Sequence, residues 1–205
     1  MRDSRAERFP EGHRAQTCQA ERQEGTGLRR VRIATDSIAD VPAALVSEMD
    51  IAVVPCQVFW GEQVYRDGVD LEPHQFYDRL AGSPELPRTS QPPMGLFVDT
   101  YQRLLDAENS EAVVSIHVAG NLSGTVNAAW AAAQTLADPS RVEVVDSGMV
   151  SMGIGWAVIE AARLAQTGAT RAQISAAVRD MLPRLRAAAT CSCRVKASSW
   201  RPTRL

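Results

Sequence analysis

Short apolar runs alternate along the chain with longer segments of helical periodicity. Runs rich in Val, Ile and Ala predict strands at 31–34, 51–60, 112–118 and 142–147. Apolar residues three and four apart predict helices in the intervening segments, at 36–49, 72–83, 94–108, 120–138, 150–168 and 170–188. Strands that alternate with helices in this way predict an α/β fold, with a mainly parallel sheet flanked by helices.

Local signals mark the ends of two of these helices. Asp40 is the predicted cap of the first helix, with Pro42 in its first turn, and Thr170 is the predicted cap of the last helix. Pro183 is expected to kink that last helix, because proline removes a backbone donor and clashes with the preceding turn.

The segment after the first helix predicts extended structure. Residues 51–60 are near-continuous in Val, Ile and Phe, which predicts one strand buried on both faces. Residues 61–71 then predict a short hairpin arm with Gly68 in its turn.

Polar residues follow three of the predicted strands. Ligands of a parallel sheet bind at the carboxyl ends of its strands. The polar stretches 35–37, 119–125 and 146–148 fall at those ends, so this edge of the sheet is a candidate site. Asp36 and Asp146 are its candidate bases, although Asp after a strand often only satisfies the next turn.

The stretch 119–125 lies where a helix is predicted to begin. The side chains of Asn121, Ser123 and Thr125, with nearby backbone N–H groups, can hold a carboxylate or a phosphate at the positive end of that helix. From spacing alone, simple helix capping is the favoured interpretation, because Asn and Ser are preferred cap residues.

A second polar group stands against two prolines in the sequence RTSQPP. Pro92 and Pro93 lack N–H donors, and Pro92 restricts Gln91 to extended conformations. Thr89 and Ser90 are therefore presented on a stiff segment that can hold a hydroxyl in a fixed place. The alternative is that Ser90 caps the following helix, with a proline in its first turn.

Composition excludes several classes of protein. The chain has 205 residues, of which 45% are hydrophobic and 22% charged, as expected for a single globular domain. Residues 31–186 carry 11 Arg and 19 Asp or Glu, a balance of −8, which argues against a nucleic-acid-binding face. No apolar run approaches the roughly 20 residues of a membrane span, and no signal peptide is recognisable, so a cytoplasmic location is expected.

The chain has few residues of the types that usually bind metals or act in catalysis. The four cysteines, Cys18, Cys56, Cys191 and Cys193, have no zinc-site spacing, so neither a metal nor another cofactor is predicted. His117 ends a central strand, where a hydrogen-bonded structural role is expected.

No catalytic signature is present, and the protein is predicted not to be an enzyme. An enzyme using the polar edge is the weaker alternative, with Asp36 or Asp146 as base and Ser123 as nucleophile or anion clamp.

Six segments together resemble the DegV family of bacterial fatty-acid-binding proteins. They are ATDSIADVP, VVPCQVFWGEQVYRDGVDL, FYDRL, LPRTSQPPMGLF, IHVAGNLSGT and VVDSGMVSMGIG, in family order and at similar spacing over about 31–186. The resemblance implies a carrier that holds one long-chain fatty acid, with the acyl chain in an apolar tunnel and the carboxylate at the polar edge. It also implies a fatty acid kinase as partner, which phosphorylates the carboxylate.

The resemblance also implies which residues hold the ligand. The carboxylate-binding set is Thr89, Ser90, Gly120, Asn121 and Ser123, and the supporting polar edge is Thr35, Asp36, Ser37, Gly124, Asp146 and Ser147. Relatives commonly have two serines where this chain has Ala119 and Gly120, so the second hydroxyl comes from Ser123 or is absent.

The two ends of the chain depart from the family pattern. We expect 1–29 to be a flexible leader, 30–187 to be the DegV-like N-terminal domain and 188–205 to be an aberrant tail. The last 19 residues hold four basic groups and no acid, which suggests a shifted reading frame and a missing second lobe. A nonfunctional truncated fragment is therefore the alternative to a working carrier.

Overall fold

The computed structural model describes residues 30–186, so the predicted leader and tail lie outside the described residues. Within that range the strands are β1 Arg30–Asp36, β2 Ile51–Val54, β3 Gln57–Trp60, β4 Gln63–Arg66, β5 Arg88–Ser90, β6 Ser110–His117 and β7 Val142–Asp146. The helices are α1 Ala43–Glu48, α2 Pro73–Gly82, α3 Met94–Asp106, α4 Thr125–Gln134, α5 Met152–Gln166 and α6 Arg171–Met181. None of these helices is long and apolar enough to span a bilayer.

Four strands form a parallel sheet in the order β2-β1-β6-β7. Every neighbouring pair is parallel, with Ile33 beside Ile51 and Val114 in the β1–β2 and β1–β6 pairs. Helices cover both faces of this sheet, which confirms the predicted α/β fold.

The two faces of the parallel sheet have separate cores because successive side chains of a strand point to opposite faces. Ile33 of β1 belongs to the cluster that contains Ile154 and Val158 of α5 and Ile174 of α6. Its neighbour Ala34 belongs to the other cluster, with Phe97 and Tyr101 of α3 and the alanines of α4.

The prediction of a single strand over 51–60 is wrong. Pro55 ends β2, because a proline cannot donate to a sheet ladder. The chain continues as β3, which joins a separate three-stranded antiparallel sheet in the order β4-β3-β5. Gly61, at φ 61°, stands in the turn between β3 and β4, and Gly68, at φ 70°, stands in the next turn as predicted.

The predicted cap of the first helix is wrong, and so is the alternative interpretation of Ser90 as a helix cap. Asp40 lies in the left-handed region at φ 51°, after a 3₁₀ turn, Ser37–Ala39, that is capped by Asp36. Helix α1 follows Pro42 without a side-chain cap. Ser90 is part of β5 and does not cap α3, which follows Pro93.

The predicted cap of the last helix is confirmed. The Thr170 hydroxyl accepts a hydrogen bond from the Gln173 backbone N–H, and the Gln173 side chain accepts one from the Thr170 backbone N–H. Helix α6 ends at Met181, and Pro183 lies in a 3₁₀ turn, Leu182–Arg184, that follows it. The predicted kink at Pro183 is therefore wrong, because the helix ends before this proline.

Candidate functional site

The carboxyl end of the parallel sheet carries three ionisable side chains. Strands β1, β6 and β7 end at Asp36, His117 and Asp146 respectively. The three polar stretches of the sequence follow these strands directly, so the fold brings them to one edge, as predicted.

The Asp36 carboxyl group joins the loop after β1 to the loop after β6. One oxygen, Oδ1, accepts a hydrogen bond from the Ile38 N–H at 3.0 Å. The other, Oδ2, accepts from the Val118 N–H at 3.0 Å and from His117 Nδ1 at 2.9 Å. Both Asp36 and His117 are completely buried, so water cannot replace these bonds.

The hydrogen-bonded chain continues into the core. His117 Nε2 lies 2.6 Å from Ser115 Oγ, which accepts a hydrogen bond from the Tyr101 hydroxyl at 2.9 Å. Because Asp36 Oδ2 is an acceptor, His117 Nδ1 donates and Nε2 accepts from Ser115. Burial raises the pKa of Tyr101, which keeps its hydroxyl protonated as the first donor of the chain.

Ser115, His117 and Asp36 are hydrogen-bonded in the same order as the Ser, His and Asp of a hydrolase catalytic triad. Unlike a catalytic triad, they are not accessible to solvent. All three residues are 0% exposed, so no substrate can reach the Ser115 hydroxyl. The arrangement positions two loops, and the prediction that His117 is a hydrogen-bonded structural residue is confirmed. Sequence reasoning missed Ser115 and Tyr101 as its partners, although the spacing of two between Ser115 and His117 on a strand indicates a shared face.

Asp146 anchors the loop after β6 to the loop after β7. Both of its carboxylate oxygens lie 3.1 Å from the Gly120 nitrogen, and Oδ1 also accepts from the Gly148 N–H at 2.9 Å. A Cβ atom at Gly120 would lie 2.7 Å from Asp146 Oδ2, so a side chain at position 120 would displace the Asp146 carboxylate.

The remaining hydroxyls of the predicted supporting edge bond to the backbone. Thr35 Oγ1 donates to the Ile116 carbonyl at 2.8 Å, Ser37 Oγ accepts from the Cys56 N–H at 3.1 Å, and Ser147 Oγ accepts from the Met149 N–H at 3.1 Å. These bonds shape the loops of the edge.

Burial, with a further contribution from the Asp36 carboxylate, raises the pKa of the Cys56 thiol to about 12. The thiol is therefore unreactive at neutral pH.

The loop before α4 keeps polar groups at the surface. Gly124 occupies the cap position of α4, so neither Asn121 nor Ser123 is its cap residue. The Ser123 hydroxyl lies 2.8 Å from Thr125 Oγ1 and accepts from the Thr125 N–H at 3.3 Å. Asn121 is exposed and Ser123 half-buried, so both can be reached from solvent.

The proline-stiffened segment lies against this loop. The Gln91 carboxamide occupies the space over Gly124, where an added Cβ would come within 2.9 Å of Gln91 Cδ. The absence of a side chain at Gly124 therefore allows the two loops to touch.

Thr89 and Ser90 are exposed neighbours in β5, so their side chains point to opposite faces of the antiparallel sheet. Gln91 follows β5 directly and Pro92 keeps it extended, so alternation along the chain predicts that Thr89 shares a side with Gln91.

A cavity of about 540 Å³ opens beside the loop that contains Asp36. It is lined by residues of the segment from Thr35 to Ser47, by the end of β2 and by the turn that includes Asp67 and Val69. In the part of the chain from 30 to 186, no group of three or more His, Cys, Asp or Glu side chains is placed to hold a metal ion.

Comparisons with known proteins identify the family of this α/β domain. A family model described as "Uncharacterised protein, DegV family" matches residues 30–193. The chain belongs to the DegV family. The match runs past residue 187, where the sequence predicts the end of the domain, and that boundary stays a prediction.

Relatives and solved structures agree with this assignment. A DegV domain-containing protein of Streptococcus pyogenes serotype M3 is 37% identical over 148 residues, which are 72% of this chain and 52% of the relative. A fatty-acid-binding DegV family protein of Thermus thermophilus superposes with a TM-score of 0.68 at 32% identity, covering 75% of this chain and 54% of that one.

DegV of Bacillus subtilis, described as a fatty acid binding protein, superposes with a TM-score of 0.69 at 30% identity, covering 76% of this chain and 54% of that one. The chain thus spans about half the length of the curated relatives it matches.

Proposed function

We propose that this DegV domain binds a long-chain fatty acid and acts as a carrier. The observation that carries the proposal is the contact between Gln91 and Gly124, which joins the Thr89 segment to the Asn121–Ser123 loop. Two polar segments from separate parts of the chain meet there. The Thermus and Bacillus structures that share this fold are described as fatty-acid-binding proteins, which supports this choice of ligand.

The energetics suit a fatty acid. A hydrogen bond to a charged acceptor contributes about 1.5–3 kcal/mol, so the hydroxyls of Thr89 and Ser123 orient the carboxylate. Each buried methylene contributes about 0.8 kcal/mol, so the acyl chain supplies most of the affinity. Asn121 and the backbone at Gly120 complete the proposed carboxylate site, and Ser90, on the opposite face of β5, plays no direct part.

We propose that the chain is the non-catalytic partner in any reaction of the bound fatty acid. The Ser115–His117–Asp36 series is closed to solvent, which favours a carrier over a hydrolase. An ionised carboxylate held at the surface of the site is accessible to a separate kinase that phosphorylates it. A fatty acid kinase assay with and without this protein tests that role, and turnover by this chain alone would contradict it.

The binding proposal is tested by titrating hexadecanoate into the purified chain, into three single alanine variants and into one double variant. Thr89→Ala and Ser123→Ala are each expected to weaken binding about tenfold or more, because each removes a hydrogen bond to a charged acceptor. Ser90→Ala is the matched control, since it deletes a neighbouring hydroxyl from the opposite face of β5 and should bind like the unmodified chain. Unchanged affinity in the Thr89→Ala, Ser123→Ala double variant would show that the carboxylate is held elsewhere.

A further inference from the structure

Four completely buried side chains form a polar chain that leads from helix α3 to the carboxyl end of the parallel sheet. Tyr101 donates to Ser115 at 2.9 Å, and Ser115 donates to His117 Nε2 at 2.6 Å. His117 Nδ1 then donates to Asp36 Oδ2 at 2.9 Å. Apolar side chains of the same shape would fill this space at similar stability, because a buried hydrogen bond adds little net free energy. What the polar chain adds is a fixed orientation of each member.

The His117 ring is held on three sides. Ser115 bonds to one ring nitrogen, Asp36 bonds to the other, and the Phe97 ring lies edge to face against it at a centroid distance of 5.1 Å. Rotation of the imidazole would break both hydrogen bonds, so the ring has one orientation. It keeps Asp36 Oδ2 at the point where this oxygen also accepts the Val118 N–H at 3.0 Å.

The backbone connects this fixed point to the proposed carboxylate site. Val118 is the first residue after β6, and the next carbonyl, that of Ala119, accepts hydrogen bonds from the Leu122 and Ser123 N–H groups at 3.0 and 3.1 Å. Ser123 therefore lies one tight turn from the N–H group that Asp36 holds. Ligand-binding groups must stay within about 0.5 Å of their working geometry, so a shift of Val118 is expected to misplace the Ser123 hydroxyl.

We propose that His117 is a positioning residue for the carboxylate site. It is completely buried, so it acts through Asp36, whose carboxylate it orients towards the Val118 N–H. The inference rests on the proposed fatty-acid binding and adds a core residue that sets the geometry of the site. Asp146 holds Gly120 of the same loop independently, so a change at His117 weakens binding without abolishing it.

Two conservative substitutions separate the roles of the two ring nitrogens. The Asn amide nitrogen lies as many bonds from Cα as Nδ1, so His117→Asn keeps a donor for Asp36 and loses the bond to Ser115. The Gln amide nitrogen lies as many bonds from Cα as Nε2, so His117→Gln keeps a polar group near Ser115 and loses the donor for Asp36. Both variants lose the ring contact with Phe97, so their denaturant midpoints should fall by similar amounts.

The experiment measures dissociation constants for dodecanoate and hexadecanoate. His117→Asn should stay within about threefold of the unmodified chain, and His117→Gln should bind about tenfold more weakly. The loss should be the same factor for both acids, because they share the carboxylate and differ only in methylenes. The matched control is Val178→Ala, which removes completely buried side-chain atoms from the core on the other face of the sheet. It should lower stability and leave both affinities unchanged.

Equal losses in the two His117 variants, or a loss that grows with chain length, would show that His117 only supports the fold. Those results, or unchanged affinity in both variants, would overturn the inference while leaving the proposed function standing. If either variant does not fold, as judged by circular dichroism, Asp36→Asn decides the matter. It keeps the shape of the side chain but replaces one acceptor oxygen, so it should weaken both acids alike, and unchanged binding would overturn the inference. An unmodified chain that binds neither acid would overturn both proposals.

Discussion

The parallel sheet (β2-β1-β6-β7) and the antiparallel sheet (β4-β3-β5) differ sharply in burial. In β6, the six consecutive residues from Ala112 to His117 are buried, whereas all three residues of β5 are exposed. The parallel sheet is covered on both faces and holds the loops at its carboxyl end in place. The antiparallel sheet brings an exposed, proline-stiffened hydroxyl segment to those loops, so one sheet supplies rigidity and the other supplies part of the proposed ligand contact.

Different forces stabilise the two sheets. The parallel sheet lies between two large apolar clusters, whereas the core of the antiparallel sheet consists of Val58, Trp60 and Leu71 with a few half-buried neighbours. Charged groups support the smaller sheet. The Arg79 guanidinium lies 4.5 Å from the centre of the Trp60 ring. Hydrogen bonds from Arg66 lower the pKa of Asp70 to about 2 in the adjacent turn.

The largest expected effect is on the buried network of the parallel sheet. Asp36→Ala leaves the His117 Nδ1–H and the Ile38 and Val118 N–H groups without their acceptor in a buried site. We expect a loss of about 3–5 kcal/mol in the free energy of unfolding, measured by urea denaturation.

Asp180→Ala is the control for this change. Asp180 is 77% exposed and forms an ion pair with Arg184 one turn away, so its removal should cost no more than about 0.5 kcal/mol. Equal effects of the two substitutions would show that the network contributes nothing beyond an ordinary surface carboxylate.

A smaller difference is expected between two aromatic residues, one from each sheet's core. Phe97 is completely buried against the parallel sheet, and Phe76 is half-buried in the antiparallel cluster, with its ring 5.7 Å from that of Trp60. Phe97→Ala should cost about 3–5 kcal/mol, and Phe76→Ala roughly half of that, because less apolar surface is lost. Denaturant midpoints measure both, and a Phe76→Ala effect as large as that of Phe97→Ala would contradict the distinction between the sheets.

The parallel sheet was predictable from the sequence, whereas of the antiparallel sheet only the hairpin arm at 61–71 was. Buried parallel strands are near-continuous apolar runs, so β1, β6 and β7 are visible in the pattern of Val and Ile. Residues 51–60 show the same pattern, but they contribute to both sheets. Pro55 marks the break, although only the three-dimensional pairing reveals that β3 changes partners there.

The location of the candidate site was also predictable from the sequence, but its long-range contacts were not. The rule that ligands bind at the carboxyl ends of parallel strands located the edge from the polar residues that follow β1, β6 and β7. Contacts between residues distant in sequence were not predictable, because they depend on how the elements pack. Tyr101 with Ser115 and Gln91 with Gly124 are such contacts.

The smallest expected effect concerns the contact between Gln91, which follows β5, and Gly124, which precedes α4. Gly124→Ala puts a methyl group where the Gln91 carboxamide lies. Gly124 has φ −73°, which alanine adopts without strain, so any effect comes from displacing Gln91. Because Gln91 is exposed, we expect a stability change below about 1 kcal/mol but a roughly three- to tenfold loss of fatty-acid affinity as the Thr89 segment moves away.

Two further variants separate this cause from a general effect of alanine. Gly95→Ala lies in α3 with open space around the added methyl group and should leave binding unchanged. Gln91→Ala combined with Gly124→Ala removes the clash, so the double variant should bind better than Gly124→Ala alone. If the two substitutions instead weaken binding additively, the Gln91 contact does not position the Thr89 segment. The antiparallel sheet would then have to reach the site through other residues.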